Sequence, residues 1–417
     1  MALPLIPITR KQALLFAVFL VLYEFLTYIA NDMIMPGMLN VVEAFHAPES
    51  SIATSLTMYI LGGASLQLIL GPLSDAYGRR PVMIFGALFF FLCTIFIACS
   101  YSIVSFLVAR FFQGMGLCFI GVIGYATLQE IFAEMDAIRL IAVMANVSTI
   151  APLIGPSLGA VFILHFQWRF MFVGIAVLAL LALWGLWRYM PEPVGQTKRD
   201  GQRIQPVSFR FGAIFNNYKA LSLNPAFMCG SLALGFLALP CVAWIALAPV
   251  ILVSEAHLTV LEYGLWQIPL FGALIVGNIY LHRLTHKKGV VPLIFLGSVI
   301  SIASLLLTYI IPQFYSQHYL SLMPGLILNF FGLGLTGAPL NRFILFSTPV
   351  GKGTTAALES MIGMSIQAAG IEIANWMYTS HQNKLFGLFY AGVGVMYGVF
   401  ALSALYFGKP YFQEEKK

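Results

Sequence analysis

Charge is scarce in this sequence. Only 9% of its 417 residues are Asp, Glu, Lys or Arg, against 60% hydrophobic, and the mean hydropathy is +0.88. A soluble domain of this size carries far more charge, so that class is excluded and a polytopic membrane protein is expected. Cysteine is sparse as well. The five present (Cys93, Cys99, Cys118, Cys229, Cys241) fall inside apolar stretches without metal-ligand spacing. They read as packing residues and say nothing about redox compartment. Hydrolytic and nucleotide-driven chemistry also lacks its parts. Gly351-Lys352-Gly353-Thr354 resembles the end of a phosphate-binding loop, but Phe346 stands where the first glycine belongs and no strand precedes it. Neither a nucleophile elbow nor a His-Glu-x-x-His helix is expected. His282 and His286 have helical ligand spacing yet sit in a basic loop without a carboxylate, so no metal site is expected.

What is present is a run of twelve apolar stretches, near 13–34, 52–74, 81–99, 103–129, 138–163, 170–190, 226–253, 262–282, 291–312, 319–341, 353–378 and 385–408. The first follows Arg10 and Lys11, as in a signal peptide, but it continues to spanning length and reads as an uncleaved helix. An even number of spans puts both ends on one side. Of the 22 lysines and arginines, Arg110 lies within a helix and only Arg169 and Lys384 fall on the outer side when the amino end is placed inside. The other nineteen line the inner side, the positive-inside pattern, so both termini are expected in the cytoplasm. The polar stretch 191–225 is a cytoplasmic linker that divides the chain into an amino-terminal bundle of six helices, 1–190, and a second of six with a short tail, 226–417. This 6 + 6 plan is the layout of transporters built from paired repeats.

The first stretch carries Glu24 and Asp32 in Tyr23-Glu-Phe-Leu-Thr-Tyr-Ile-Ala-Asn-Asp-Met. Glu24 lies at membrane depth, where a bare charge costs at least about 2.5–3.5 kcal/mol. Such a residue faces a polar cavity, finds a cationic partner or stays protonated. Eight residues separate the two, about 12 Å along a helix and about 80° around it, so they line one broad face at two depths. Asp32 as a plain helix-end residue at the interface stays open. Arg110 in the fourth stretch also lies at depth, with Gln113 one turn along and Glu24 or Asp32 within reach from the first helix; a snorkelling role is its alternative.

Three motifs carry a family resemblance. Gly71-Pro-Leu-Ser-Asp75-Ala-Tyr-Gly78-Arg79-Arg80 joins the second and third helices. Arg110-Phe-Phe-Gln113-Gly114 sits in the fourth, and Pro152-Leu-Ile-Gly155-Pro156-Ser-Leu-Gly159 in the fifth. Together they resemble the loop motif, the helix-four motif and the antiporter motif of the major facilitator superfamily. The wording of helix one is similar to that of the MdfA type of multidrug/proton antiporter. The resemblance implies a cytoplasmic gate at Gly71, Asp75, Gly78, Arg79 and Arg80, the aspartate pairing with the positive end of a neighbouring helix. It implies proton- and substrate-responsive carboxylates at Glu24 and Asp32, with Arg110 as their partner. Tyr28, Asn31, Tyr125 and Asn146 would line the same cavity. The second half departs from the pattern at Glu359, which either adds a third titratable group to the cavity or ends at the cytoplasmic mouth.

The expectation is an all-α membrane protein of two six-helix bundles in a bacterial inner membrane, acting as a monomer. It would export lipophilic neutral or cationic molecules in exchange for protons, without a cofactor and without nucleic-acid partners. An exporter dedicated to one endogenous metabolite, such as a siderophore or amino-acid derivative, would share all of these motifs. A polytopic membrane enzyme would need a His/Asp pair or a nucleophile at one interface, and none stands out.

Overall fold

The computed structural model describes residues 4–199, 201, 203–204, 211–285, 289–315 and 318–413. Among them the regular elements are helices, and one isolated bridge joins Thr197 and Arg203. The loop residues 286–288, His286 included, lie outside the described residues, as do positions 205–210 of the linker.

The spanning helices follow the apolar stretches. They are α1 (Arg10–Asp32), α2 (Ser50–Ser65 continued by Gln67–Tyr77 across a 41° bend), α3 (Arg79–Ala98), α4 (Ile103–Ile131), α5 (Glu134–His165) and α6 (Trp168–Tyr189). Then come α7 (Pro225–Glu255), α8 (Val260–Thr285), α9 (Val290–Phe314), α10 (Met323–Phe346) and α11 (Lys352–Gln413). Ten described helices are long and apolar enough to cross a membrane, eleven when the bent pair forms one span. The twelfth segment is the first arm of α11. Gly370 backs onto Leu239, while the Tyr390 hydroxyl donates to the Pro240 carbonyl at 3.2 Å. A straight helix would hold Gly370 and Tyr390 about 30 Å apart. The chain therefore folds back, and the rings of Tyr378 and Phe386 meet at 5.6 Å near the reversal.

Local chemistry sets the ends. The Thr9 side chain caps α1 by accepting from Gln12 N at 3.1 Å, Ser102 and Ser105 form a capping box at the start of α4, and Asn224 precedes Pro225 as the cap of α7. Large apolar side chains point outward from the bundles: Phe96 is 71% exposed, Val177 63% and Leu402 63%. A surface this apolar suits lipid and not water.

The chain divides into two compact units, Met1–Gly37 with Met58–Phe215 and Met38–Thr57 with Asn216–Lys417. In the first, glycines let backbones touch. A Cβ at Gly62 would lie 1.9 Å from the Phe111 carbonyl oxygen, and one at Gly114 would lie 1.9 Å from that of Tyr59, so α2 and α4 pack main chain to main chain. Gly159 does the same for α5 against Met33 at the end of α1. In the second unit, α9 and α10 meet through Gly297, Gly325 and Gly332.

The α2–α4 contact generates a test. Gly114→Val should lower folded yield and thermal stability sharply, beyond the about 1–3 kcal/mol usual for overpacking, because the obstacle is main chain. Gly174→Ala, with nothing within 4 Å of its Cβ position, should be neutral in the same thermal-unfolding assay.

Candidate functional site

In the first unit the residues singled out on α1 meet α4 and α5. Arg110 is fully buried. Its Nη1 donates to the Ala30 carbonyl at 3.2 Å and to Gln113 Oε1 at 2.8 Å, and its Nη2 donates to Asn31 Oδ1 at 2.5 Å. The guanidinium lies over the Tyr59 ring, 4.4 Å from its centroid, and the Tyr59 hydroxyl donates to the Thr27 carbonyl of α1. Gln113 in turn donates to Thr94 Oγ1 on α3 at 2.9 Å. Arg110 Nε has no partner.

The two carboxyls take different places. Asp32, 3% exposed, accepts from Asn31 Nδ2 at 3.2 Å, so Asn31 bridges it to Arg110 through the two ends of one amide. Its Cβ lies 2.9 Å from where a Cβ on Gly155 would stand, which puts the antiporter-like stretch of α5 directly behind it. Glu24, fully buried, accepts from the Tyr125 hydroxyl at 2.8 Å through Oε1, and its Oε2 has no partner. Tyr125 follows a π-helical turn, Phe119–Gly124, in α4. Such turns recur where a helix must re-aim a side chain. Among the described residues no carboxylate oxygen lies within ion-pair distance of Arg110. The network is one of neutral bridges between charges.

Tyr28 hydrogen-bonds to Ser148, which shares the Gly155 face of α5. Asn146 is not brought in: nine residues before Gly155, it lies about 180° around the helix and is exposed. Pro152 and Pro156 sit within the continuous helix α5. Gly155-Pro156-Ser157-Leu158-Gly159 does spell Gly-x-Ser-x-Gly, so the letters of a nucleophile elbow are present after all. The elbow requires a strand-to-helix turn, and this stretch is mid-helix, so the letters carry no hydrolase geometry. In the second unit Glu359 is 8% exposed and accepts from Asn341 Nδ2 of α10 at a long 3.4 Å.

The loop motif forms a second cluster. Gly78, at φ +103°, ends α2 in a conformation open to glycine, and a Cβ there would lie 2.6 Å from Glu192 Oε2. Arg79 Nη1 lies 2.5 Å from Asp75 Oδ1, though not aligned as a hydrogen bond. Its Nη2 and Nε donate to Glu130 at 2.8 and 3.3 Å, and Nη1 donates to Ser74 Oγ at 2.6 Å. Glu192 caps α3: its carboxylate accepts the main-chain N–H groups of Arg79 and Arg80 at 3.0 and 2.9 Å. Arg80 Nη2 donates to the Trp187 carbonyl at 2.8 Å. Gly71 sits in the second half of α2, its Cβ position open except to Val122. Sequence reasoning missed Glu130 and Glu192. The only hint for Glu192 was a carboxylate lodged between two prolines just past α6, in a stretch read as linker.

Residues 20–371 match the Major Facilitator Superfamily. The chain belongs to that family of membrane transporters. It is 46% identical over 393 residues, 94% of each chain, to "Multidrug transporter MdfA" of Yersinia pestis (strain D106004). To the protein of the same name in Escherichia coli O157:H7 it is 44% identical over 387 residues, 93% of this chain and 92% of that one. Among solved structures, an inward-facing, unoccupied bacterial homologue of the human lysosomal transporter Spinster shares the fold, with TM-score 0.73, 12% identity and coverage of 97% and 98%. The human organic anion transporter MFSD10 follows with TM-score 0.66, 16% identity and coverage of 95% and 100%. The twelve-segment superfamily architecture is therefore the fold of this multi-pass membrane protein.

Asn31→Ala removes the amide that joins Arg110 to Asp32 and leaves a buried guanidinium N–H without its acceptor. An unpaired buried donor costs about 1–3 kcal/mol, more for a charged group. The variant should melt several degrees below wild type in detergent, and Asn31→Gln should not restore it, because the longer side chain carries the amide out of line with both partners.

Proposed function

We propose that this protein is a proton-coupled multidrug efflux transporter of the bacterial inner membrane, with both termini in the cytoplasm. The curated relatives bear the name multidrug transporter over nearly their whole length. The observation that carries the coupling chemistry is the set of buried ionisable groups in the first unit, Glu24, Asp32 and Arg110, bridged by Asn31 and approached by Tyr125. Burial favours the neutral form of a carboxyl and a nearby guanidinium favours the charged form. A substrate that displaces either influence changes proton occupancy, which is the elementary event of antiport. Facing the cytoplasm, substrate binding favours proton release; facing outward, reprotonation of Glu24 or Asp32 favours substrate release. The neutral bridges suit this cycle, since an ion pair locked at contact distance would hold one protonation state. Tyr28 and Asn31 stand beside the carboxyls for recognition, and the apolar faces around them favour lipophilic molecules. Asp75, Arg79 and Arg80 would gate the cytoplasmic side. The chain acts alone and draws its energy from the proton gradient, without nucleotide or cofactor.

The test is uptake of a fluorescent lipophilic cation by proteoliposomes. Collapsing the pH gradient, with the electrical potential clamped, should reduce uptake to background, and added ATP should not restore it. Arg110→Ala should abolish transport, and Arg110→Lys should retain part of it, since a point charge survives although the planar fork is lost. Gradient-independent uptake, or normal transport by Arg110→Ala, would overturn the reading.

Glu359 bears on substrate charge. A carboxylate in an apolar helix attracts cations far more strongly than one in water. Glu359→Gln should reduce transport of dicationic substrates most, monocationic less and neutral least, with fewer protons released on binding. Equal losses across all three classes would return Glu359 to a structural role.

A further inference from the structure

The two units carry a diverged repeat in their fourth helices. Arg110-Phe-Phe-Gln-Gly-Met-Gly116 of α4 corresponds to Asn329-Phe-Phe-Gly-Leu-Gly334 of α10, one residue shorter. The partner helix corresponds too. In the first unit α3 runs antiparallel to α4, with Gly86 against Phe119 and Thr94 bonded to Gln113. In the second, α9 runs antiparallel to α10, with Gly297 against Thr336, Ser301 against Gly332 and Thr308 against Gly325. Ser301 thus stands where Thr94 does, and Asn329 where Arg110 does.

The replacements leave polar groups unpaid in hydrogen bonds. Gln113, which satisfies Thr94, has no counterpart beside Ser301. Asn329 and Ser301 are both fully buried, and Ser301 Oγ, Asn329 Oδ1 and Asn329 Nδ2 have no protein partner. Their neighbours on the same seam do. Ser304 Oγ donates to the Ser301 carbonyl at 2.6 Å, Thr308 Oγ1 to that of Ser304 at 2.9 Å and Thr336 Oγ1 to that of Gly332 at 2.8 Å. Ser298 and Tyr397 share a bond of 2.6 Å. Spacing places Asn329 on the same face of α10 as Gly325, Gly332 and Thr336, level with the Ser301–Ser304 turn of α9. A buried amide with neither its donors nor its acceptor used is strongly disfavoured in an apolar bundle, and α9 offers it only hydroxyls.

We propose that Asn329 and Ser301 form an internal water-binding site of the second unit, the uncharged counterpart of the Arg110–Gln113–Thr94 network. Water supplies both a donor and an acceptor, needs two to four polar partners, and fits between short side chains where Arg and Gln fill the same place in the first unit. The site carries hydrogen bonds without charge, so the seam between α9 and α10 is held by exchangeable bonds where the corresponding seam of the first unit uses a guanidinium.

The experiment compares Asn329→Ser with Asn329→Ala by thermal unfolding of the purified full-length protein. The two are alike in size, and Ala is the better helix former. A hydrated site keeps its water bonds through the serine hydroxyl, so Asn329→Ser should melt about 2–4 °C above Asn329→Ala. A dry interface gives the reverse order, because a buried hydroxyl without a partner is worse than a methyl group, and equal or reversed melting would overturn the proposal. Asn329→Leu supplies the second reading. It should melt below wild type, and Ser301→Ala, costly in the wild-type protein, should then be neutral or stabilising, since the shared water is already lost and the serine hydroxyl is left unpaired. A rise in stability on Asn329→Leu, or full additivity with Ser301→Ala, would likewise overturn it.

Discussion

The first unit is organised by the need to solvate one guanidinium away from water. Arg110 is fully buried in a chain whose outer surface is lipid-facing hydrocarbon, so its five N–H groups depend on acceptors that the protein supplies. A main-chain carbonyl, two side-chain amides and an aromatic face provide most of what it needs. They come from the end of α1 (Ala30 and Asn31), from Tyr59 of α2 and from Gln113 one turn along α4 itself, and this requirement dictates close approaches elsewhere. The glycine contacts between α2 and α4 bring Tyr59 over the cation. Gly155 gives the end of α1 room to present Asn31 and Asp32 together.

Under the proposed function, a neutral group standing between two ionisable ones has a mechanistic meaning. A contact ion pair in low dielectric is deep and slow to exchange, whereas an amide bridge passes part of the interaction on while leaving each charge responsive. Glu24 is held apart again, by a tyrosine on another stretch of α4, and keeps one oxygen unpartnered. The two carboxyls therefore feel different neighbours. The second unit has dispensed with the cation, retains a carboxyl at Glu359 beside an amide, and packs its corresponding helices through glycines and hydroxyls.

The end of the first unit that carries the Gly71–Arg80 motif obeys a different rule. There the charges are in contact: Arg79 meets Asp75 and Glu130, and Glu192 neutralises the amino end of α3. The stretch after α6 is tied down further. Leu5 N donates to the Ile131 carbonyl at 2.7 Å, and Arg199 N donates to the Leu5 carbonyl at 2.7 Å. What composition marks as linker thus begins as part of the bundle.

Membrane class, the twelve apolar segments and the identity of Glu24, Asp32 and Arg110 as the ionisable residues at depth were legible in the sequence. Hydrocarbon enforces a composition so one-sided that exceptions stand out singly. The loop and helix-five motifs were legible for a related reason, since glycines that permit main-chain contact cannot be exchanged for other residues. Tertiary structure decided what the exceptions do. Helical spacing placed Glu24 and Asp32 on one broad face but could not tell that Tyr125 takes one and Asn31 the other. The role of Glu192 was invisible, because capping joins residues more than a hundred positions apart and a lone carboxylate in a polar stretch looks solvated. The bend in α2 and the reversal within α11 likewise depend on which helices meet. Hydrophobicity is a property each residue carries along the chain, whereas a hydrogen-bond partner exists only after distant segments have packed.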